Sequence, residues 1–323
     1  MKVLIIGCRG QDGKWLSEIL STQGYEVYGI HKPTLALDQN SKISLRKVDK
    51  YIVKEYCVDF SILKTAVKYL DQIQPSMIFH LAAVHESSVD MKNFGMSDLD
   101  KMQACHVKIT HNLLQWICEK KRSTKLAVAL TSQMYSGGDK QIEISVDSKA
   151  LPQNIYGQTK LECFDLIRKY RNQHSIFAVG LILFNHTSIY ARPNFLFRVL
   201  AKQLSEYKRN IRKQISIVNA DYEIDICDAR EVCNAMRLSL ESNYPRDYVI
   251  SSGRLVSIRS VVKDAAKLLS IDIKDDDILS TNNEPQKNRL FGDSKQIFTY
   301  LGWQSQNKPA QLLVKMFEQE SQD

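Results

Sequence analysis

The sequence predicts an α/β protein, a Rossmann-type doubly wound parallel sheet with a smaller C-terminal substrate-binding lobe. Three observations predict it. Short, wholly apolar runs alternate with segments of helical spacing through the first half of the chain. The first of those runs meets a glycine-rich turn almost at once, and the alternation loosens beyond about residue 185.

The elements follow in order. Val3-Leu-Ile-Ile6 is a continuous apolar run, as a strand buried on both faces requires. After the turn, Leu16, Ile19 and Leu20 recur at helical spacing until Gly24 stops the helix. Glu26–Ile30 is the second strand. Met77–Ala83 and Leu126–Thr131 are two more, separated by the amphipathic stretch Val107–Glu119, and Phe177–Phe184 is another. Strands alternating with helices imply parallel pairing with right-handed crossovers. Further on, helical segments at Phe195–Tyr207, Asp228–Leu240 and Ile258–Leu269 lie among short polar strands. Residues 1–184 are therefore expected to form mainly a nucleotide-binding domain and 185–323 mainly a substrate lobe. With no Pro-, Gly- or Ser-rich linker between them, the two are expected to interleave in one body.

Composition narrows the function. The 323 residues are 44% hydrophobic, ample for a large core. No apolar run reaches the roughly 18 residues of a membrane span. MKVLIIGCRG lacks the cleavage site of a signal peptide and reads as a first strand. The seven cysteines form no CxxC pair, which leaves zinc and dithiol chemistry without support and fits reduced thiols in a cytoplasm. The net charge of +8 is compatible with nucleic acid or with an anionic small substrate. The densest basic stretch, Tyr207–Lys213, carries no nucleic-acid motif and reads as a solvated helix end.

Two motifs carry chemistry. In Gly7-Cys8-Arg9-Gly10-Gln11-Asp12-Gly13, between strand and helix, glycines let the backbone approach a pyrophosphate while the helix N-terminus offers amide donors. At the end of the second strand, where NAD-selective enzymes place an acid for the ribose, His31 and Lys32 stand instead, so NADP(H) is favoured over NAD(H). In Tyr156-Gly-Gln-Thr-Lys160 the spacing of four puts phenol and ammonium on one helix face. A nearby ammonium is expected to lower the phenol pKa, fitting Tyr156 to exchange a proton with a sugar hydroxyl as hydride moves. Thr131 ends a strand where its hydroxyl can join that network. His80, inside an apolar strand, reads as a satisfied core residue, and His85 as a possible lining residue.

With these residues in place, the chain resembles the extended short-chain dehydrogenases/reductases (the NAD-dependent epimerase/dehydratase family) over nearly its whole length. Within them it resembles the GDP-mannose 4,6-dehydratases and the related reductases of the 4-keto sugar. Gln11-Asp12 inside the turn and Leu183-Phe-Asn-His186 carry the closer likeness. The resemblance implies that Asp59 and Phe60 contact adenine, and that Leu81, Ala82 and Ala83 follow the fourth strand beside the cofactor. It also implies that Leu183, His186 and Arg192 lie on the cofactor side, and that Asn185 holds substrate. Gly292-Asp-Ser-Lys295 and Leu301-Gly-Trp303 match the family's C-terminal pattern. The family pairs subunits through two helices, which implies a homodimer or homotetramer.

Departures bear on the reaction. The family follows its catalytic Thr by two residues with a Glu that removes the C5 proton; here Gln133 stands there, and a carboxamide is no general base near neutral pH. Ile224 and Val199 fall where the family has cations, and its late Arg upstream of Gly292-Asp293 is missing, with Glu284 nearby; Arg192, Arg198 and Lys202 are left to meet a diphosphate. The reading is a nucleotide-sugar enzyme, with guanine implied only by resemblance, that moves hydride reversibly at C4. Tyr156 is its acid/base, Lys160 its partner and ribose ligand, Thr131 a bond to the C4 oxygen, and Gln133 an orienting group. The alternative is a 4,6-dehydratase lyase using another base, His85 or Glu86. A non-catalytic NAD(P)-binding regulatory protein is the third reading, against which the retained Tyr156 and Lys160 stand.

Overall fold

The computed structural model describes residues 1–32, 43–48, 51–84, 96–120, 123–138, 140–282 and 284–320. They divide into two compact units. The first comprises Met1–Tyr135, Val146–Leu183 and Cys233–Tyr248, the second Ser136–Ser145, Phe184–Val232 and Val249–Asp323.

The first unit opens with β1 (Lys2–Ile6), whose Val3, Leu4, Ile5 and Ile6 are all buried. Each such side chain contributes about 1.5–3 kcal/mol by leaving water. α1 (Gln11–Thr22) and β2 (Glu26–His31) follow, with Leu16 and Leu20 on the buried face of α1. Next come β3 (Ile43–Val48) and β4 (Tyr51–Cys57), an antiparallel pair, then α2 (Leu63–Ile73) and β5 (Met77–His80). α3 (Met96–Met102) runs through a π-helical turn (Gln103–Lys108) into α4 (Ile109–Glu119). β6 (Lys125–Ala129) is followed by a 3-10 turn at Ser132–Met134. After β7 (Gln141–Ile144), which belongs to the second unit, α5 (Ile155–His174) and β8 (Ala178–Leu183) complete the crossover.

Among the described residues the main sheet has eight strands in the order β13-β8-β6-β5-β1-β2-β4-β3, β13 being Tyr248–Ile250. The pairs β1/β2, β2/β4, β1/β5, β5/β6 and β6/β8 are parallel. The alternation of buried strands and amphipathic helices thus gives the doubly wound sheet that it predicts. β5 and β6 are shorter than their apolar runs: β5 stops at His80 and β6 at Ala129.

The second unit holds α6 (Leu196–Lys208), α7 (Ala229–Glu241, which passes into the first unit at Cys233), α8 (Ile258–Leu268), α9 (Lys295–Leu301) and α10 (Pro309–Glu320). Its short strands are β9 (Asn185–Thr187), β10 (Ile215–Ile217), β11 (Glu223–Ile224), β12 (Ile226–Asp228), β14 (Val256–Ser257), β15 (Ile278–Ser280) and β16 (Arg289–Gly292). Its core gathers Phe197, Leu200 and Leu204 of α6, Val261 and Val262 of α8, and Leu312, Leu313 and Met316 of α10. All seven cysteines are free thiols. Among the described residues, no helix is long and apolar enough to cross a membrane.

Candidate active site

The chain lays down β1, β2 and β4 towards one edge and then returns past β1 to β5, β6 and β8. The seam between β1 and β5 is therefore the topological switch point, where open α/β sheets bind ligands beyond the strands' carboxyl ends. The glycine turn lies there. Gly7, at φ +92°, has no room for a side chain: a Cβ would stand 2.8 Å from the backbone nitrogen of Ala82. Gly13 lets α1 close on the turn, since a Cβ there would be 2.3 Å from the carbonyl of Gly7. A Cβ on Gly10, by contrast, would meet only that carbonyl, at 3.3 Å. Gly10 is the N-cap of α1 and brings no side-chain cap, so the turn leads straight into a helix N-terminus, the kind of backbone end that favours a phosphate. Leu81, Ala82 and Ala83 run alongside, Leu81 donating its N–H to the carbonyl of Ile6 at 2.9 Å. His31 closes β2 and Lys32 follows it, its ammonium 3.5 Å from Asp59. Burial works to raise the Asp59 carboxyl, but bonds from Ser61 and the charge of Lys32 outweigh it and hold it below its ordinary range. Phe60 is buried beside it and accepts a bond from Asn112.

Thr131, Gln133, Tyr156 and Lys160 come together in the same unit. Thr131 caps the 3-10 turn, its hydroxyl oxygen accepting the N–H of Gln133 at 3.2 Å. Lys160 is buried, with its ammonium 5.8 Å from the Tyr156 ring centroid. Among the described residues its one hydrogen bond goes to the carbonyl of Ala129, at 2.8 Å. An ammonium has three N–H groups to satisfy, and a buried one without a carboxylate is costly. The site thus fits a ligand that brings hydroxyl oxygens, as a nicotinamide ribose does. The phenol departs from expectation. Burial raises the Tyr156 pKa, with Asp12, Cys105 and Cys163 adding to it, while burial lowers that of Lys160. Desolvation dominates the phenol, and Lys160 does not offset it.

Two partners escape a reading of the sequence alone, and a third residue is legible only in part. Asn154 is the N-cap of α5, its Oδ1 accepting the N–H of Gly157 at 2.7 Å, and its Nδ2 donates to Gln133 Oε1 at 2.9 Å. The pattern Asn-x-Tyr-Gly at a helix start is the signal that marks it. His106, buried in the π-helical turn, accepts the N–H of Val84 on Nε2 at 3.1 Å. Its proton therefore sits on Nδ1, 2.8 Å from the Thr159 hydroxyl, and its ring stands edge-on to Tyr156 at 5.4 Å. A π-helical turn often marks a functional site, but an apolar-periodicity reading starts this segment one residue too late to include His106. His80 is buried as expected; among the described residues neither ring nitrogen makes a hydrogen bond of good geometry, although the backbone of His106 and Cys105 lies close enough to act on the ring. Burial, then Lys160, push its pKa down to about 3, so the imidazole is neutral.

The remaining candidates lie elsewhere. Leu183 ends β8 in the first unit; Asn185, His186, Arg192, Arg198 and Lys202 belong to the second. Asn185 opens β9 (Asn185–Thr187), is exposed, and donates to the carbonyl of Asp225 at 3.2 Å. His186 Nδ1 lies 2.8 Å from the carbonyl of Phe184. Arg192 and Lys202 are exposed. Arg198 is committed within its unit, bonded to Gln319 and paired with Glu320 at 2.6 Å. His85 and Glu86 lie outside the described residues.

Comparison with known proteins places this geometry. The family model described as GDP-mannose 4,6 dehydratase matches residues 4–316. A GDP-mannose 4,6 dehydratase of Cricetulus griseus is 29% identical over 268 residues, 80% of this chain and 70% of that protein. Among solved structures, a dTDP-glucose 4,6-dehydratase from Bacillus anthracis in complex with NAD superposes with a TM-score of 0.79 at 15% identity, covering 100% of this chain and 97% of that one. A Pseudomonas aeruginosa protein, RMD, complexed with NADPH gives a TM-score of 0.77 at 17% identity, covering 100% and 99%.

Proposed function

This chain belongs to the GDP-mannose 4,6 dehydratase family, and on that premise we propose that it acts on the hexose of a GDP-linked sugar by the 4,6-dehydratase route, opening with hydride removal at C4. The carrying observation is the set Thr131, Tyr156 and Lys160, held by Ala129, Gln133 and Asn154 beside the glycine turn. A nicotinamide held here would supply the hydride acceptor, and its positive charge would oppose the desolvation of the Tyr156 phenol. Tyr156 takes the proton of the C4 hydroxyl, Thr131 hydrogen-bonds the same oxygen, and Lys160 holds ribose hydroxyls and stabilises phenolate. Water loss across C5 and C6 then needs a base for the C5 proton, and the hydride taken from C4 would be returned to C6, so that the net change is the loss of one water.

Gln133 favours a second reading, hydride transfer at C4 with no loss of water. Its carbonyl oxygen is engaged by Asn154, and a carboxamide takes no proton at neutral pH. The experiment is incubation of the full chain with GDP-mannose and NAD(P)⁺, followed by mass spectrometry of the sugar product. A product lighter by one water supports the dehydratase reading. A product lighter by only two hydrogens, or reduction of a supplied 4-keto sugar with GDP-mannose untouched, supports the second. If no sugar nucleotide changes while Tyr156→Phe leaves cofactor binding as it was, neither enzyme reading stands.

A further inference from the structure

What Gln133 presents to a substrate is fixed by its neighbours. Asn154 caps α5, and its side-chain amide meets the backbone N–H of Gly157 at 2.7 Å. A backbone N–H can only donate, so the Asn154 atom against it is the oxygen, and the other end of that amide is Nδ2. Nδ2 can likewise only donate, so the Gln133 atom 2.9 Å from it is Oε1. One backbone donor therefore orients two side-chain amides in series. Gln133 is left with Nε2 on the side away from Asn154, and among the described residues that nitrogen has no hydrogen-bond partner and is not sealed from solvent.

The backbone is restrained as well. The Gln133 N–H is held by the Thr131 hydroxyl at 3.2 Å, and Leu151, just before the cap, donates to the carbonyl of Met134 at 2.9 Å. The turn thus faces the crevice with donors. Thr131 accepts on its oxygen and keeps its O–H to give, while Gln133 has its carbonyl turned to Asn154 and two N–H groups to give. The charge in the same set is also positive, the buried Lys160 ammonium, which makes no ion pair among the described residues.

A hexose and the corresponding hexuronic acid differ only at C6. With the C4 oxygen between Thr131 and Tyr156, and Gln133 standing where the family's C5 base stands, the C6 group falls to Gln133. A hydroxymethyl there brings a donor that finds no acceptor on Gln133. A carboxylate is an acceptor throughout and forms charge-assisted bonds with fixed N–H donors. A glutamate at this position would repel that anion, whereas the carboxamide, donor side outward, receives it.

Resting on the second reading above, hydride transfer at C4 without loss of water, we infer that the sugar taken here is a nucleotide-linked hexuronic acid, its C6 carboxylate bound by Gln133 Nε2. Asn154 is then the positioning residue that turns the donor side of Gln133 to the crevice.

The test is titration calorimetry of the full chain with two matched pairs, GDP-mannose with GDP-mannuronic acid and UDP-glucose with UDP-glucuronic acid. Reduced cofactor, NADH or NADPH, is kept present so that no hydride leaves the sugar. In at least one pair the wild type should bind the uronic acid about tenfold tighter or more, and Gln133→Leu should bring the two members within about threefold. Asn154→Asp keeps the cap but replaces the Nδ2 donor by an acceptor, so the Gln133 amide turns over, presents Oε1, and the preference should invert. Asn154→Ser, still a cap and neutral, should weaken the preference without inverting it, which separates amide orientation from added charge. A wild type that binds the hexose as tightly as the uronic acid in both pairs, or variants that weaken both members equally, overturns the inference; the second reading still stands if the wild type reduces a 4-keto sugar. A wild type that binds neither member of either pair, or that removes water from GDP-mannose when given NAD(P)⁺, overturns both.

Discussion

Each atom of the catalytic set has its own restraint: Thr131 by the 3-10 turn it caps, Gln133 by Asn154, Lys160 by Ala129. The most telling group is the ammonium, buried with one of three donors used. Tyr156→Phe removes the proton acceptor but none of these restraints, so turnover should fall by a factor of about 100 to 10,000 while NAD(P)H binding, followed by nicotinamide fluorescence, stays within about threefold. Equal loss of both would make Tyr156 a structural residue instead. Gln133 gives the complementary test. Gln133→Glu places a carboxylate beside the Asn154 amide, which can donate to it as readily as to the carboxamide. If water loss is limited by a missing base, this variant should form the dehydrated sugar faster than the wild type in a timed mass-spectrometric assay. An unchanged or lower rate would mean that the C5 proton leaves by another group.

At the scale of elements, the site depends on how closely α5 meets the turn after β6. A Cβ on Gly157 would lie 2.2 Å from the carbonyl oxygen of Gln133, a backbone atom that no rotamer change can move. Gly157→Ala must therefore push the start of α5 away by roughly 1 Å, enough to cost about a hundredfold in turnover. Overpacking should lower stability by about 1–3 kcal/mol as well. Kinetics and thermal unfolding measured together check this: a variant with wild-type kcat would show that Thr131 and Tyr156 tolerate displacement. The same contact shows what a sequence discloses. The parallel strands are legible because Val3–Ile6, Met77–His80 and Ala178–Leu183 are buried on both faces and so, His80 apart, without polar side chains. The Tyr156/Lys160 pair is legible from helical spacing. The hairpin of β3 and β4 is not, because Ile43, Leu45 and Ile52 are exposed on an edge and its pattern mixes charge with apolar residues. α2 (Leu63–Ile73) hides for a related reason: its lysines and short apolar stripe compete with the flanking strands for notice. Neither Glu55 nor His106 announces itself, since each has a partner, Arg9 and Thr159, that lies far off in the chain and that only the fold brings near.

On the scale of the molecule, the two units carry buried carboxylates with opposite responses to acid. Glu55, in the first, is held below its ordinary pKa; Asp225, in the second, is raised by burial, against bonds from Ser252, Gly292 and Gly253. A depressed carboxyl stabilises fully above its unfolded pKa, about 4.3 for Glu, and that contribution disappears as pH falls through the folded value. A raised carboxyl behaves in reverse, its contribution being present below its unfolded value and lost as pH rises through the folded one. Surface acids such as Asp221 and Asp277 are also lowered, but exposure screens them and the buried pair should dominate. Protonating Glu55 has a second cost, because Arg9 and Arg46 then face one another without their shared anion, in a protein already at +8 near neutrality. Acid should therefore open the first unit before the second. In pulsed hydrogen exchange read by mass spectrometry, peptides from β1, β2 and β4 should lose protection at a higher pH than peptides from α8 and α10. Glu55→Gln, although less stable at neutral pH by a few kcal/mol on the scale of a broken buried ion pair, should show a flatter acid dependence in those same peptides. Coincident loss of protection in both units, unchanged by the substitution, would mean that acid acts on the chain through its total charge and not through this carboxylate.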